Sequence, residues 1–286
     1  MDKPDPSGAP LFGLPGQNVM SLEGRDALAF AQAQTMNDLA ALGDGCWHWN
    51  GWLTPKGRVI ALFALLRLDR ERLWLLLPDA DPQAVADGLR RFVFRSKVKI
   101  EVRDDLHIAG AFAAPAIAKD ATAAVASEGT QVELDLGGDS GPRTLRIAAL
   151  PAPVDADAAS RWRSFDLAHG LPRLESAQAE QWTPQQLSLD RLKAYSVKKG
   201  CYPGQEIVSR THFLGKAKRG LVLLEADEGD IVGSEVRSDG QAIGKVASRA
   251  GRFALAVLPV EREADTPLDV EGMVVRERSL QGGLAR

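Results

Sequence analysis

A chain of 286 residues with 45% apolar and 26% charged side chains and a net charge of −3 has the composition of two or three globular units. That balance excludes a general attraction for nucleic acid or for an anionic membrane surface. Two cysteines, Cys46 and Cys201, cannot build a disulfide framework and fit a reducing compartment; none of the four histidines pairs with a cysteine at zinc-site spacing, so no metal is expected.

Residues 1–16, rich in Pro, Gly and Asp, read as a disordered tail with no apolar leader. The longest apolar stretch, VIALFALLRL at 59–68, is too short for a bilayer span of roughly 20 residues, so a cytoplasmic protein with no membrane partner is expected. Residues 17–105 form the first expected unit. SLEGRDALAFAQAQTMNDLAAL reads as a helix, with Asp26 as N-cap and Gly43 as stop. RVIALFALLRL and RLWLLLP read as a hairpin turning at Asp69–Glu71. A helix capped by Asp81, with Pro82 in its first turn, and the alternating strand KVKIEVRD complete the unit. Residues 106–215 are a second, less regular α+β unit. HIAGAFA and RTLRIAAL are its strands, and DADAASRWRSFDLAHG is a helix starting near Asp155 or Asp157 and stopped by Gly170. From 216 to 286, short strands broken by Gly, Asp and Ser suggest a small antiparallel barrel or sandwich, with QGGLAR frayed at its end.

Three features carry candidate chemistry. In VKKGCYPGQE, Lys198 and Lys199 precede Cys201, and Pro203-Gly204 turns the chain toward a short helix, GQEIVSRTHF. Cations and a helix N-terminus favour a thiolate, so Cys201 is a candidate reactive thiol; an inert buried sulfur is the other reading. Residues 190–219 carry eight Lys and Arg against Asp190 and Glu206, which suits either a bound polyanion or a solvated surface. In CWHWNGW, alternation puts Trp47 and Trp49 on one face, as core or as a stacking wall. No Walker loop, dinucleotide fingerprint or nucleophile elbow is present.

KKGCYPGQEIVSRTHFLGKAKRGL closely resembles the signature of the YgfZ family of folate-binding proteins, relatives of the glycine cleavage aminomethyltransferase. Lys199, Gly200, Cys201, Tyr202, Gly204, Gln205 and Glu206 match every fixed position of that signature. LEGRDALAFAQAQTMNDL, LTPKGRVIALFALLR, FVFRSKVKIEV and GLPRLESAQAEQWTPQQLSLD resemble further family segments. The resemblance implies two ferredoxin-like α+β folate-binding subdomains and a C-terminal β-barrel around a central cavity. It implies tetrahydrofolate or a derivative as cofactor, and a role in synthesis or repair of iron–sulfur proteins, including tRNA-modifying enzymes. Its implied partners are folate, iron–sulfur client or assembly proteins, and tRNA. Its implied site joins Cys201, Lys199 and Tyr202 as the chemical group to Trp162, Gln205, Glu206, Gly200 and Gly204 around the folate. Trp162 aligns with a tryptophan lining the family's folate site. Two positions depart from the pattern. Where many relatives carry a glutamate that grips the pterin, this chain has Ala168, with Asp166 and His169 as the nearest polar substitutes. Where the aminomethyltransferases carry a catalytic aspartate, it has Ala61-Leu62. Aminomethyl transfer therefore ranks behind the accessory role, as does a non-catalytic tRNA- or protein-binding module.

Overall fold

A computed structural model describes residues 9–126, 131–215, 217–226, 229, 231–263 and 266–286. In chain order the strands and helices are β1 (Phe12–Gly13), β2 (Asn18–Glu23), α1 (Ala27–Gln34), β3 (Cys46–Leu53), β4 (Val59–Arg67), β5 (Arg72–Leu77), α2 (Pro82–Arg90) and β6 (Lys99–Val102). There follow β7 (His107–Ala111), β8 (Ala124–Val125), β9 (Val132–Asp135), β10 (Thr144–Ala148), α3 (Ala156–Ala168) and α4 (Gln205–Leu214). The last strands are β11 (Arg219–Glu225), β12 (Glu235–Ser238), β13 (Gln241–Ala250), β14 (Phe253–Pro259), β15 (Leu268–Val270) and β16 (Met273–Arg278).

The first sheet has the order β3-β4-β5-β2-β6, and its strands carry apolar residues on both faces. Ala61, Phe63, Leu65, Leu73, Leu75 and Leu77 face one cluster with Phe30, Ala31, Val85 and Leu89 of α1 and α2. The alternate residues Leu62, Ala64, Leu66, Trp74 and Leu76 face a second cluster. A period of two with both sets apolar marks a sheet covered on both sides. Ala61 and Leu62, where the resemblance implies the transferase aspartate would stand, are both buried in these apolar clusters.

The second sheet has the order β1-β7-β10-β9-β8, and strands β11 to β16 close into the antiparallel barrel expected from the sequence. One continuous core takes Trp49 and Leu62 from the first sheet, Ile108 and Leu145 from the second, Trp162 from α3, and Leu221 and Leu255 from the barrel. The helix caps follow the sequence: Asp81 accepts from the N–H groups of Gln83 and Ala84, and Asp155 from that of Ala158.

Four expectations need correction. Residues 1–8 of the expected tail lie outside the described residues, but Phe12 and Leu14 are buried and β1 pairs with β7, so disorder does not reach residue 16. The first helix is shorter than expected: Asn18–Glu23 form a strand, and Thr35 is extended. Asp26 makes no side-chain cap there; its carboxylate accepts instead from the Lys97 N–H. The C-terminal QGGLAR is not frayed. Leu284 is buried in the shared core, its carbonyl accepts from Trp49 Nε1 at 2.8 Å, and Gln281 N–H donates to the Ala168 carbonyl at 2.9 Å. Arg286 donates to the carbonyls of Asp135 and Gly137.

Candidate functional site

The signature loop begins at Ser196, whose N–H donates to the Met36 carbonyl and whose hydroxyl accepts from the N–H groups of Lys198 and Lys199. Lys199 then turns inward. Its Nζ donates to the carbonyls of Gln32 at 2.6 Å, Thr35 at 2.5 Å and Asn37 at 3.0 Å, the segment where α1 ends. Burial pulls its pKa down to about 8, while nearby Asp38 opposes the fall. The three carbonyl bonds also favour the charged form, so this lysine is a fastener and not a free base. Its ammonium is directed to those carbonyls, so of the two cations beside Cys201 in sequence only Lys198 is exposed.

Tyr202 is buried, donates to the Ser196 carbonyl at 3.2 Å, and lies 4.9 Å from the Lys199 ammonium at its ring. Burial raises its pKa, with Tyr195 adding to the rise, which keeps the phenol neutral. Tyr202–Gln205 form a type II turn: Gly204 has φ 80° and ψ −1°, and Gln205 N–H donates to the Tyr202 carbonyl. Gln205 Nε2 reaches back to the Lys199 carbonyl at 3.0 Å. Gly204 is packed against the β3–β4 turn, where a Cβ would stand 2.7 Å from both Gly57 Cα and the Thr54 carbonyl oxygen. Gly204→Ala is therefore expected to cost about 2–4 kcal/mol, combining a left-handed backbone and a clash. Urea unfolding checks this; an unchanged midpoint would show that the turn yields freely.

Four signature residues thus serve the loop: Lys199, Tyr202, Gly204 and Gln205. The exposed ones are Gly200, Cys201 and Glu206. A Cβ on Gly200 would meet nothing within 4 Å. Cys201 is a free, exposed thiol. The inert buried sulfur is excluded by that exposure.

Beside the loop lies a cavity of about 420 Å³, lined among others by Asn37, Asp38, His48, Tyr195, Lys198 and Arg286. Cys201 is not among its lining residues. His48 is buried to 7% exposure. Burial, reinforced by the Lys199 charge and opposed by Asp38, lowers its pKa to about 4, so the ring is neutral at pH 7. Tyr195, half-buried, is pushed up to about 12 by burial and by Asp190. The pair His48 and Asn50 escaped sequence reasoning. Its signal was present: if Trp47 and Trp49 share one face of a strand, His48 and Asn50 share the other.

Trp162, implied by the resemblance to line the folate site, is packed in the core instead. It is 1% exposed, with the Arg143 guanidinium 4.2 Å from its ring centroid, Phe12 and Phe112 at 6.0 and 5.9 Å, and Gly110 against its edge. Neither polar substitute near Ala168 is available. Asp166 is paired with Arg143 at 2.8 Å and Arg173 at 3.0 Å. His169 bonds the Phe165 carbonyl through Nδ1 and receives the Ser140 N–H on Nε2, and the Ala168 carbonyl is taken by Gln281. The inherited folate contacts at Trp162 and position 168 therefore do not fit a folate here. Trp47 and Trp49 are core residues, edge to face at 5.4 Å, and Cys46 is half-buried.

The basic stretch is thinner than its sequence suggests. Lys199 is buried, and Arg191 and Arg219, though exposed, donate to the Gln281 and Ile243 carbonyls, which leaves Lys193, Lys198, Arg210 and Lys218 as the other exposed cations. Lys216 lies outside the described residues. Among the described residues no helix is long and apolar enough to cross a membrane, and no group of His, Cys, Asp or Glu side chains could hold a metal ion.

Comparison with known proteins places this geometry. The glycine cleavage system aminomethyltransferase T from Bartonella henselae superposes with a TM-score of 0.74 over 95% of this chain and 85% of that one, at 17% identity. The class is therefore that of an aminomethyltransferase-like fold. The family described as CAF17, C-terminal beta-barrel domain, matches residues 218–279. Over 278 residues the chain is 29% identical to a Vibrio vulnificus protein named tRNA-modifying protein YgfZ, covering 89% of this chain and 85% of that one. A Haemophilus influenzae protein described as uncharacterized is 26% identical over 222 residues, 76% of this chain and 75% of its own. The chain thus has an aminomethyltransferase-like fold and is similar in sequence to proteins named tRNA-modifying protein YgfZ.

Proposed function

We propose that this chain is a folate-binding accessory protein for synthesis or repair of iron–sulfur proteins, with Cys201 as its working thiol. One observation carries the reading. The signature loop spends Lys199, Tyr202, Gly204 and Gln205 on its own geometry and leaves Cys201 free and exposed. A thiol on a loop this firmly fixed has no packing duty, which leaves chemistry as its use. Folate binding comes from the resemblance to the YgfZ proteins. Because the positions at Trp162 and Ala168 are closed, the reading assigns the ligand to the cavity beside the loop, whose volume suits a small organic molecule. Aminomethyl transfer is disfavoured by the buried apolar Ala61-Leu62.

The test is genetic. A strain lacking a YgfZ-type protein, with reduced activity of a cluster-dependent tRNA-modifying enzyme, is expected to regain it when supplied with this chain. Well-folded, abundant protein that restores nothing would remove the accessory role.

A further inference from the structure

The cavity beside the loop has a built polar wall that the thiol does not use. Asn50 sets it. Its Oδ1 accepts the backbone N–H groups of Asn37 at 2.9 Å and Gly51 at 2.8 Å. Two backbone donors on one oxygen fix the amide orientation. Nδ2 must then donate to Thr35 Oγ1 and to His48 Nε2, both at 3.1 Å. An imidazole that accepts on Nε2 carries its proton on Nδ1 when neutral. His48 Nδ1 has no hydrogen-bond partner among the described residues, although its ring is buried and lines the cavity. It is a fixed donor at the cavity wall.

The surroundings define its acceptor. Lys193, Lys198 and Arg286 line the cavity against a single carboxylate, Asp38, whose Oδ1 is already taken by Gln32 Nε2 and the Ala40 N–H. Arg286 adds charge only, since its N–H groups are spent on backbone carbonyls. Lys193 is held in a left-handed conformation, φ 53°, and its carbonyl accepts from Asn37 Nδ2 at 2.7 Å, which fixes its place on the rim. Leu42, Trp47, Ala121 and Val197 supply apolar wall. An anion on an apolar stem matches this arrangement. The facing Asp38 opposes a doubly charged group more than a singly charged one.

We infer that this cavity binds the carboxylate end of a small organic ligand through the His48 Nδ1–H and the ammonium groups of Lys193 and Lys198. The inference rests on the cavity being the ligand site, as read above, but not on a pteroyl ring. The glutamyl end of a folate and a free small carboxylic acid share the required chemistry.

Long-range ¹H–¹⁵N imidazole spectra of the full labelled chain test it at pH 7. The probes are glutarate, γ-triglutamate, 5-formyltetrahydrofolate and 5-formyltetrahydropteroate, which lacks the glutamyl group. Glutarate and γ-triglutamate are expected to shift the His48 Nδ1 resonance saturably. Affinity is expected to fall at least tenfold in Lys193→Asn/Lys198→Ala, a pair that keeps a residue tolerant of the left-handed conformation at 193. His48 signals unmoved by every carboxylate probe, or equal affinities in the variant with an unchanged melting temperature, overturn the inference. Glutarate moving His48 while 5-formyltetrahydrofolate fails to bind upholds it and removes the folate reading. Binding of both folate probes with His48 unmoved does the reverse.

Discussion

Cys201→Ala is expected to abolish rescue of the cluster-dependent enzyme while leaving the protein folded. The reasoning separates the thiol from its scaffold. Cys201 is exposed, and substitutions at such positions usually change stability by less than about 0.5 kcal/mol. The loop around it is fixed by contacts that do not involve its side chain: the Lys199 ammonium on three carbonyls, the Tyr202 hydroxyl on Ser196, and the Gln205 amide on Lys199. The melting temperature should therefore stay within about 2 °C of the native value for a chain of this size. Lys199→Met should lose rescue for another reason. It removes the donor from three carbonyls and releases the loop, so its loss should come with a lower melting temperature. Full rescue by Cys201→Ala at native protein levels would show that the thiol has no part in the function.

The second large effect is structural. Arg173→Met is expected to cost about 3–5 kcal/mol, because breaking a buried ion network strands its remaining charges. Arg173 is 4% exposed and bridges Asp79, just beyond β5, to Asp166 on α3, at 2.8 and 3.0 Å. It also donates to the Pro78 carbonyl. Asp166 in turn holds Arg143, whose guanidinium lies between the Trp162 and Phe165 rings at 4.2 and 3.8 Å. Burial pulls Arg173 down, but Asp79 and Asp166 more than offset it and its pKa is raised. For Arg143, burial prevails over the attraction of Asp166 and its pKa is lowered. The network therefore joins the first sheet to the helix beside the second. Since native stability is typically about 5–15 kcal/mol, this loss should move the urea midpoint by a large fraction of its value. A shift worth less than about 1 kcal/mol would mean that water replaces the bridge.

Much of this was legible in the sequence because the signals were local. Asp81-Pro82 and Asp155 announce helix starts through bonds made within three residues. Pro203-Gly204 specifies a type II turn in the same local way. The alternating Leu and Phe of β4 and β5 declare their strands. What stayed hidden depends on distant partners. QGGLAR has no periodicity and two glycines, and its order comes from Trp49, Asp135 and Ala168, far away in the chain. Lys199 reads as a surface cation until the end of α1 supplies its three carbonyls. Trp162 aligns with a ligand-lining residue, yet Arg143 and Gly110 fill its surroundings. No pattern within a single segment could disclose that packing.

Calorimetry of the native chain with 5-formyltetrahydrofolate tests the central claim most directly. Saturable binding with a Kd tighter than about 100 μM, worth about 5.5 kcal/mol, is expected from a folate-binding protein. No heat of binding at ligand concentrations near 1 mM, from protein with a cooperative thermal transition, would contradict it.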